Sequence, residues 1–330
     1  MKPCFKVFSA CLALLLVLTG CAAGQPDPDE TAAPAETTAA PEETTAASPA
    51  YRDPETIPLI NPNAKERGSI RYLSIGQSGN VNATYYLYDF LKEAGYDKVE
   101  VAVLYYSGCN LDQHYDFMRK DASVYRLYYN GKGSWSITDG YTMDMALRMT
   151  EWDYISFNPG ASKSWKHEQF EPYLTDVEAH VRSFQPNAHF FWNMVWAYED
   201  SPDYKEFFDS LFSGTQLEMH EGIVEACRIA MENHPELEFM VPIGAAVQSM
   251  RTSHYAEGTW LIRDNGHLSY GYGYYLAALV MAKSISDLDI DASTFLPPEY
   301  ADAFDEDIVA ALKGAAKAAF EDPWHVTELP

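Results

Sequence analysis

A serine that follows an apolar run is the first side chain whose surroundings point to chemistry. The run Tyr72–Ile75 is followed by Gly76, Gln77 and Ser78, where a strand must turn sharply to start a helix. A serine in such a turn presents its hydroxyl above the sheet edge, near the free backbone N–H groups of the helix start. This pattern fits a nucleophile, although a serine at a strand–helix junction also commonly serves as an N-cap.

An acid and a histidine three residues apart form the second feature. Asp264 and His267 share the loop sequence Asp-Asn-Gly-His, just before a helix predicted from about residue 270 to 286. The carboxylate can hold the Nδ1–H of the imidazole and leave Nε2 as a base. Alone, the same pair also occurs in capping or solvated loops.

Gly108 is the third feature, because a missing side chain lets its N–H approach an oxyanion. By itself it is most simply a turn glycine.

Alternating strands and helices must position these side chains. Helices are predicted over about 170–184 and 216–233, where apolar residues recur at helical spacing. Continuous apolar strands separated by amphipathic helices predict a mostly parallel sheet of about five strands covered on both faces, a three-layer α/β/α sandwich. In such sheets ligands bind beyond the carboxyl ends of the strands. The predicted strands are 72–75, 99–104, 154–157, 189–192 and 239–242.

A β-hairpin is predicted within this scheme. Residues 124–137 are rich in strand-forming side chains and carry Asn-Gly-Lys-Gly in the middle, at 130–133. We expect the hairpin to be an insertion that overhangs the site.

Taken in chain order, the motifs resemble the four motif blocks of the SGNH (GDSL-type) hydrolases. These blocks are Ile75–Ser78, Gly108, Asn158 after the third strand, and Asp264-x-x-His267. The segments 104–114, 151–157 and 192–198 are similar to a poorly characterised bacterial branch of that superfamily. The resemblance covers most of the chain from about residue 69 to 286.

This resemblance implies a flavodoxin-like fold and serine esterase chemistry. It makes Ser78 the nucleophile, His267 the general base and then acid, and Asp264 the carboxylate that orients the imidazole. The oxyanion is expected on the backbone N–H groups of Ser78 and Gly108 and on the side-chain amide of Asn158.

Two departures from the branch pattern lie beside the site. The branch usually has Asn before the serine and Phe-Ser after it, where this chain has Gln77 and Gly79-Asn80. It also tends to carry Gln-Gln where this chain has Asn158-Pro159. These departures motivate an alternative function, a glycan-binding protein that keeps the fold without turnover.

Other hydrolase classes fit the residues less well. A Gly-x-Ser-x-Gly elbow is absent, since the second glycine comes one position early, at Gly79. The remaining histidines show no HExxH or His-x-x-x-His spacing, so we predict no metal and no cofactor.

The first 55 residues predict export and anchoring. Lys2 and Lys6 precede an apolar run from Ala10 to Leu18, which suits a signal peptide over residues 1–20. Leu-Thr-Gly before Cys21 resembles a bacterial lipobox, with an ordinary signal peptide or a chance cysteine as the alternative. Residues 21–55 predict a disordered Thr/Ala/Pro/Glu linker on a lipid attached to Cys21. The protein is therefore expected at the outer face of the bacterial cytoplasmic membrane.

The remaining chain divides into a hydrolase-like domain over 56–286 and an acidic helical extension over 287–330.

With 48 acidic against 23 basic side chains and a net charge of −25, the chain lacks the basic stripe that nucleic-acid binding needs. Cys109 and Cys227 are expected to be free, mostly buried thiols.

Aromatic residues concentrate near the predicted turns. Sugar rings stack on such side chains, so a carbohydrate ester is the substrate expected, with a packed core as the alternative reading of the same residues. The tryptophans and the tyrosine concerned are Trp165, Trp192, Trp196, Tyr198 and Trp260. The sequence thus predicts a membrane-tethered serine esterase that removes an acyl group, acetyl in the first instance, from a glycan or small ester.

Overall fold

The computed structural model describes residues 52–66, 68–255 and 260–330. Its strands are β1 (Ser69–Gly76), β2 (Lys98–Tyr105), β3 (Tyr125–Asn130), β4 (Ser136–Tyr141), β5 (Tyr154–Phe157), β6 (His189–Asn193), β7 (Leu237–Val241), β8 (Ile262–Asp264) and β9 (His267–Leu268). The α-helices are α1 (Ser78–Thr84), α2 (Leu87–Glu93), α3 (Leu111–Arg119), α4 (Met143–Leu147), α5 (Tyr173–Phe184), α6 (Lys205–Leu211), α7 (Gln216–Asn233), α8 (Ile243–Met250), α9 (Tyr272–Ser286) and α10 (Glu306–Glu321).

The main sheet has seven strands in the order β4-β3-β2-β1-β5-β6-β7. The five strands from β2 to β7 in this order run parallel, and each is an apolar run that the sequence predicts. Their burial on both faces explains the continuous apolar pattern, since an exposed face would require alternation with polar residues. The predicted α/β/α sandwich is confirmed, with seven strands rather than about five because the hairpin joins the sheet.

The predicted hairpin exists, but its predicted position over the site is wrong. Strand β3 pairs antiparallel with β2, so the hairpin extends the sheet edge. Asn130, at the hairpin tip, lies beside Val101, whereas Arg126 lies beside Tyr105 at the carboxyl end of β2. The tip therefore points to the edge of the sheet opposite the one where Ser78 follows β1. Main-chain pairing with an open strand edge outcompetes an overhanging position, since it satisfies a row of backbone groups.

Helices cover both faces of the sheet. Helices α1, α2, α8, α9 and α10 contact one another on one side, while α3, α4 and α5 contact one another on the other. The apolar α9 is buried along almost its whole length, because α10 covers the side that faces away from the sheet. Helix α10 packs through Leu312, Ala315 and Ala319 and lies in the C-terminal extension, which the sequence predicts to be helical.

The predicted signal peptide, the lipidation site at Cys21 and most of the linker lie outside the described residues. Over the described ranges, no helix combines the length and the apolar character needed to cross a membrane. Cys109 and Cys227 are both free and buried, as predicted.

A buried histidine joins α5 to α7 on the face away from α9. His234 caps the end of α7 and is hydrogen-bonded through Nδ1 to Glu178 at 2.8 Å and through Nε2 to Glu171 at 2.5 Å. Burial alone favours the neutral ring, but the two carboxylates outweigh it and raise the pKa of His234 to about 9.

The stability of the fold should therefore depend on pH through His234. Because the folded-state pKa lies above the ordinary value of 6.5, the stabilisation is complete below pH 6.5 and is lost as pH rises to about 9. We expect urea unfolding to show the free energy of unfolding falling across this window. In His234→Gln the fall should be smaller, and below pH 6.5 the variant should be less stable by about 3 kcal/mol, since two carboxylates lose their cation. Parallel pH profiles for the two proteins would contradict this assignment.

Candidate active site

The predicted site residues meet at the carboxyl ends of the parallel strands. The order β2-β1-β5-β6-β7 has its reversal point between β1 and β5, where α/β sheets of this topology bind ligands. A cavity of about 410 Å³ opens at this edge. Its wall comes from the segments after β1, β2, β5 and β6 and from the β8–β9 turn, and includes Ser78, Gly108, Asp264 and His267.

Ser78, His267 and Asp264 form a continuous hydrogen-bonded chain. Ser78 Oγ lies 2.8 Å from His267 Nε2, and His267 Nδ1 lies 2.6 Å from Asp264 Oδ1. The carboxylate can only accept, so Nδ1 carries the proton and Nε2 is the acceptor for the serine hydroxyl. This arrangement can transfer the hydroxyl proton to the imidazole as the oxygen attacks an electrophile.

Asp264 is held in its charged form. Burial acts to raise the pKa of this carboxyl, but hydrogen bonds from the side chain and backbone of His267 outweigh it, together with the charge of Arg263. The pKa of Asp264 therefore lies below its ordinary value. A carboxylate that stays ionised can stabilise the imidazolium that forms when His267 takes a proton.

The acid and the histidine sit on a very short hairpin. Asp264 ends β8, His267 begins β9, and the two are direct cross-strand partners with Asn265-Gly266 as the turn. Residues opposite each other on a hairpin project from the same face, which explains how a spacing of three brings the carboxylate to the ring. Asn-Gly is a strong hairpin signal in a sequence, and it would have identified this turn as more than a loop before a helix.

The segment after β6 clamps this hairpin from the other side. Asn265 accepts hydrogen bonds at its backbone oxygen from Glu199 N–H and at Oδ1 from Ser201 Oγ, each at 2.7 Å. Trp196 Nε1–H donates to Gly266 O at 2.8 Å. The ring of Tyr198 packs so closely on Gly266 that an added Cβ would lie 3.2 Å from Tyr198 Cδ1, which explains why glycine occupies the turn.

A largely buried arginine supports the clamp in turn. Arg251 Nη2 donates to Ala197 O at 2.9 Å and to Glu199 Oε2 at 3.0 Å. Leu268 N–H donates to Asn82 Oδ1 at 3.0 Å, which ties the hairpin to α1 as well. The acid–histidine hairpin is thus held by side chains from α1, the β6 segment and the end of α8.

Ser78 has a second partner that sequence reasoning missed. Gln77 caps α1, and its Oε1 accepts from Gly79 N–H at 2.8 Å, which identifies that atom as the oxygen. The same oxygen lies 3.0 Å from Ser78 Oγ. One hydroxyl proton therefore has two acceptors, Gln77 Oε1 and His267 Nε2. The departure from the branch pattern at Gln77 thus bears directly on how the serine is held.

Two of the three predicted oxyanion groups line the cavity. Ser78 is the first residue of α1, where N–H groups have no partner within the helix, and Gly108 lies across the cavity with φ +62°. Asn158 is not among the lining residues. Its Nδ2 donates to Asn80 Oδ1 at 2.7 Å, and its Oδ1 accepts from Gly160 N–H at 3.0 Å. The structure therefore brings Ser78 and Gly108 to the cavity and leaves Asn158 in the layer beneath it.

Asn80 organises that layer. Its Oδ1 accepts from Gln77 N–H at 3.0 Å as well as from Asn158, and its Nδ2 donates to Ser74 Oγ at 2.7 Å. A Cβ on Gly76 would overlap the Asn80 amide, so the glycine makes room for it. Asn80 thus couples the end of β1 to the start of α1 and to the loop after β5.

Of the aromatic residues singled out from sequence, Trp165 and Trp260 are half-buried away from the cavity, and the other three lie in the core or line the cavity. Trp192 is fully buried, with its Nε1 against Cys227 Sγ, and belongs to the core. Trp196 and Tyr198 line the cavity, joined there by Tyr204, whose ring meets that of Tyr198 edge to face at 5.3 Å. The cavity wall beside His267 is therefore aromatic.

Comparison with known proteins agrees with this fold. The sequence model of the family described as Domain of unknown function (DUF4886) matches residues 71–317. The chain belongs to this family. A crystal structure of a DUF4886 family protein from Bacteroides uniformis is similar, with 25% identity, a TM-score of 0.72, and coverage of 79% of this chain and 98% of that one. No curated protein matches.

More distant similarity reaches named hydrolases. A protein from Slackia heliotrinireducens described as an SGNH hydrolase is 18% identical, with a TM-score of 0.42 and coverage of 66% of this chain and 99% of that one. An acetyl xylan esterase is 12% identical, with a TM-score of 0.43 and coverage of 65% and 99%. Membership of DUF4886, a family described only as a domain of unknown function, agrees with the prediction of a poorly characterised branch.

Within this DUF4886 chain, the structure brings the predicted site residues together and adds supporting residues that the sequence did not indicate. Ser78, His267, Asp264 and Gly108 lie together as the motif order predicts. The sequence marks Gln77 and Asn80 only as departures from the branch pattern, and it gives no signal for Glu199 and Arg251, because these two act through contacts with segments distant in sequence. The capping box at the start of α1, formed by Gln77 with Asn80, is the one local signal that was available.

Proposed function

We propose that this protein is a serine esterase that removes an acyl group, acetyl in the first instance, from a carbohydrate. The observation that carries the proposal is the chain from Ser78 Oγ through His267 to Asp264, with distances of 2.8 and 2.6 Å. A glycan-binding protein without turnover has no need for such a chain, whose buried and partly buried supports hold it in one geometry.

The reaction follows from the positions of these groups. Ser78 Oγ attacks the ester carbonyl while its proton passes to His267 Nε2, and the N–H groups of Ser78 and Gly108 hold the oxyanion. The intermediate collapses to an acyl-serine, and His267 returns the proton to the departing sugar hydroxyl. A water then gives its proton to His267 and attacks the acyl-serine, which releases the carboxylic acid and restores Ser78.

The proposed substrate class rests on the shape and lining of the cavity. Tyr198 and Tyr204 offer ring faces on which a sugar can stack beside the catalytic hairpin. The strong negative charge of the chain disfavours polyanionic substrates. We further propose that a lipid on Cys21 and the linker hold the domain at the outer face of the cytoplasmic membrane.

A covalent serine probe and a simple ester test the proposal together. We expect a fluorophosphonate probe to label one serine, Ser78, identified by peptide mass spectrometry, and the wild-type chain to hydrolyse 4-nitrophenyl acetate. Prior labelling should remove that hydrolysis in proportion to the labelled fraction. A chain that neither takes the label nor turns over the ester would favour the alternative, a glycan-binding protein on the same fold.

A further inference from the structure

We propose that an aromatic surface beside the catalytic hairpin docks the sugar chain whose ester is cleaved. The platform consists of Tyr85, Trp135, Tyr270 and Tyr300 with Arg263. This proposal rests on the proposed esterase function and extends it, because it assigns a binding surface outside the cavity. The occupant we infer is a neutral carbohydrate chain, with its acylated unit at Ser78 and further units along the platform.

The most exposed aromatic rings of the described residues lie on this surface. Across the described ranges, the aromatic side chains exposed by more than about a third are Tyr85, Tyr270 and Tyr300, at 38%, 53% and 36%. The remaining aromatic residues of those ranges are packed to a greater degree against the core. Ring faces left open to water in one place mark a contact surface for a partner or ligand.

The rings form a connected series. Tyr85 faces Trp135 in a stacked arrangement at 6.3 Å and faces Tyr274 at 5.3 Å, and Tyr274 meets Tyr270 at 5.5 Å. Tyr300 packs against Gly271, beside Tyr270, where an added Cβ would lie 3.4 Å from its ring. The series therefore crosses from the β3–β4 hairpin to the segment before α9.

Arg263 links the series to the catalytic acid. Its guanidinium carbon lies 4.3 Å from the centre of the Tyr270 ring, and its Nε lies 3.5 Å from Asp264 Oδ2. Its Nη1 donates to Leu268 O, which keeps it on the catalytic hairpin. The platform thus begins at the residue next to Asp264, so a chain bound on it is led toward Ser78.

Hydrogen bonds hold the platform and the residues around it in place. Trp135 Nε1–H donates to Tyr85 O at 3.0 Å, and the Tyr86 hydroxyl lies 3.0 Å from Tyr270 O and 2.9 Å from Glu299 Oε1. Rings held in this way lose little conformational freedom when a ligand stacks on them.

The chemistry of the platform favours a carbohydrate over other occupants. Its rings offer apolar faces for the C–H groups of a sugar, while tyrosine hydroxyls and Arg263 offer hydrogen bonds to sugar hydroxyls. Glu299 beside it and the overall negative charge oppose a polyanion.

A binding assay without turnover tests the platform separately from catalysis. The probe is an immobilised panel of neutral cello-, xylo-, manno- and chito-oligosaccharides, each with and without O-acetyl groups. The full chain with Ser78→Ala should bind at least one of these series. Adding Tyr85→Ala and Tyr270→Ala should lower that affinity roughly tenfold or more, since two stacking contacts are lost. The matched pair Tyr85→Phe and Tyr270→Phe keeps the rings and should retain most of the affinity.

Failure of the platform and failure of the esterase are distinguishable. No binding to the panel by the Ser78→Ala chain, or equal binding by the alanine pair, would overturn the platform whatever the enzyme does. In the Ser78 background, the alanine pair should hydrolyse 4-nitrophenyl acetate at the wild-type rate, because so small an ester does not reach the platform. Loss of that hydrolysis would also overturn the platform proposal, since the two rings would then be supporting the catalytic hairpin and not only binding sugar. A wild-type chain inactive on the aryl ester refutes the esterase alone.

Discussion

Ser78→Ala should lower kcat for 4-nitrophenyl acetate by at least about 10⁴-fold, the largest effect expected from any single change in this chain. The substitution removes the only atom that can form the acyl intermediate, and no other serine hydroxyl in the described residues is seen against a histidine ring. Residual turnover should come from the oxyanion groups and the cavity alone. Steady-state kinetics with the aryl acetate and titration with the fluorophosphonate probe measure the loss.

The fold should be unaffected by this substitution. Ser78 is the first residue of α1, and the cap of that helix is the Gln77 side chain, so alanine at 78 removes no cap. Thermal unfolding of the variant should match the wild type. Ser210→Ala is a matched control, because Ser210 lies on the exposed side of α6 and its hydroxyl bonds only Phe207 O. Turnover that survives Ser78→Ala at the level of this control would refute the serine mechanism.

Asp264→Asn should lower kcat by about 10³- to 10⁴-fold, the second largest effect. An amide nitrogen turned toward His267 Nδ1 favours the tautomer with the proton on Nε2, which cannot then accept from Ser78 Oγ. The amide also carries no charge to stabilise the imidazolium. Single-turnover kinetics should place the loss in acylation, with KM little changed, because Asp264 acts on the base and not on the bound ester.

The chain contains a matched control for this substitution. Asp322 and His325 form a second acid–histidine pair with the same spacing, and Asp322 Oδ1 lies 3.0 Å from His325 Nδ1. This pair is exposed near the C-terminus and has no serine beside it. Asp322→Asn should leave kcat unchanged. Equal losses for Asp264→Asn and Asp322→Asn would indicate a general effect of lost charge and would contradict the assigned role.

The pair at Asp322 shows why the Asp-x-x-His motif alone could not identify a site. Both pairs form the same short contact, because the spacing and local hydrogen bonds produce it in any tight turn. Only one of them faces a nucleophile. The ordered set of motifs at Ser78, Gly108 and Asp264, which resembles that of the SGNH hydrolases, singled out the pair that faces Ser78.

The sequence by itself determined the α/β/α sandwich and its mostly parallel strands, because apolar runs, helical periodicity and turn residues are local properties of the chain. The meeting of Ser78 with His267 was implied by the resemblance of the ordered motifs to the SGNH hydrolases. Only the tertiary structure decided that the hairpin joins the sheet beside β2, that Gln77 rather than Asn158 reaches the cavity, and that the exposed rings gather beside Arg263. Each of these depends on which strand edges, side chains and surfaces remain unpaired after segments distant in sequence have packed. A local sequence pattern does not contain that information.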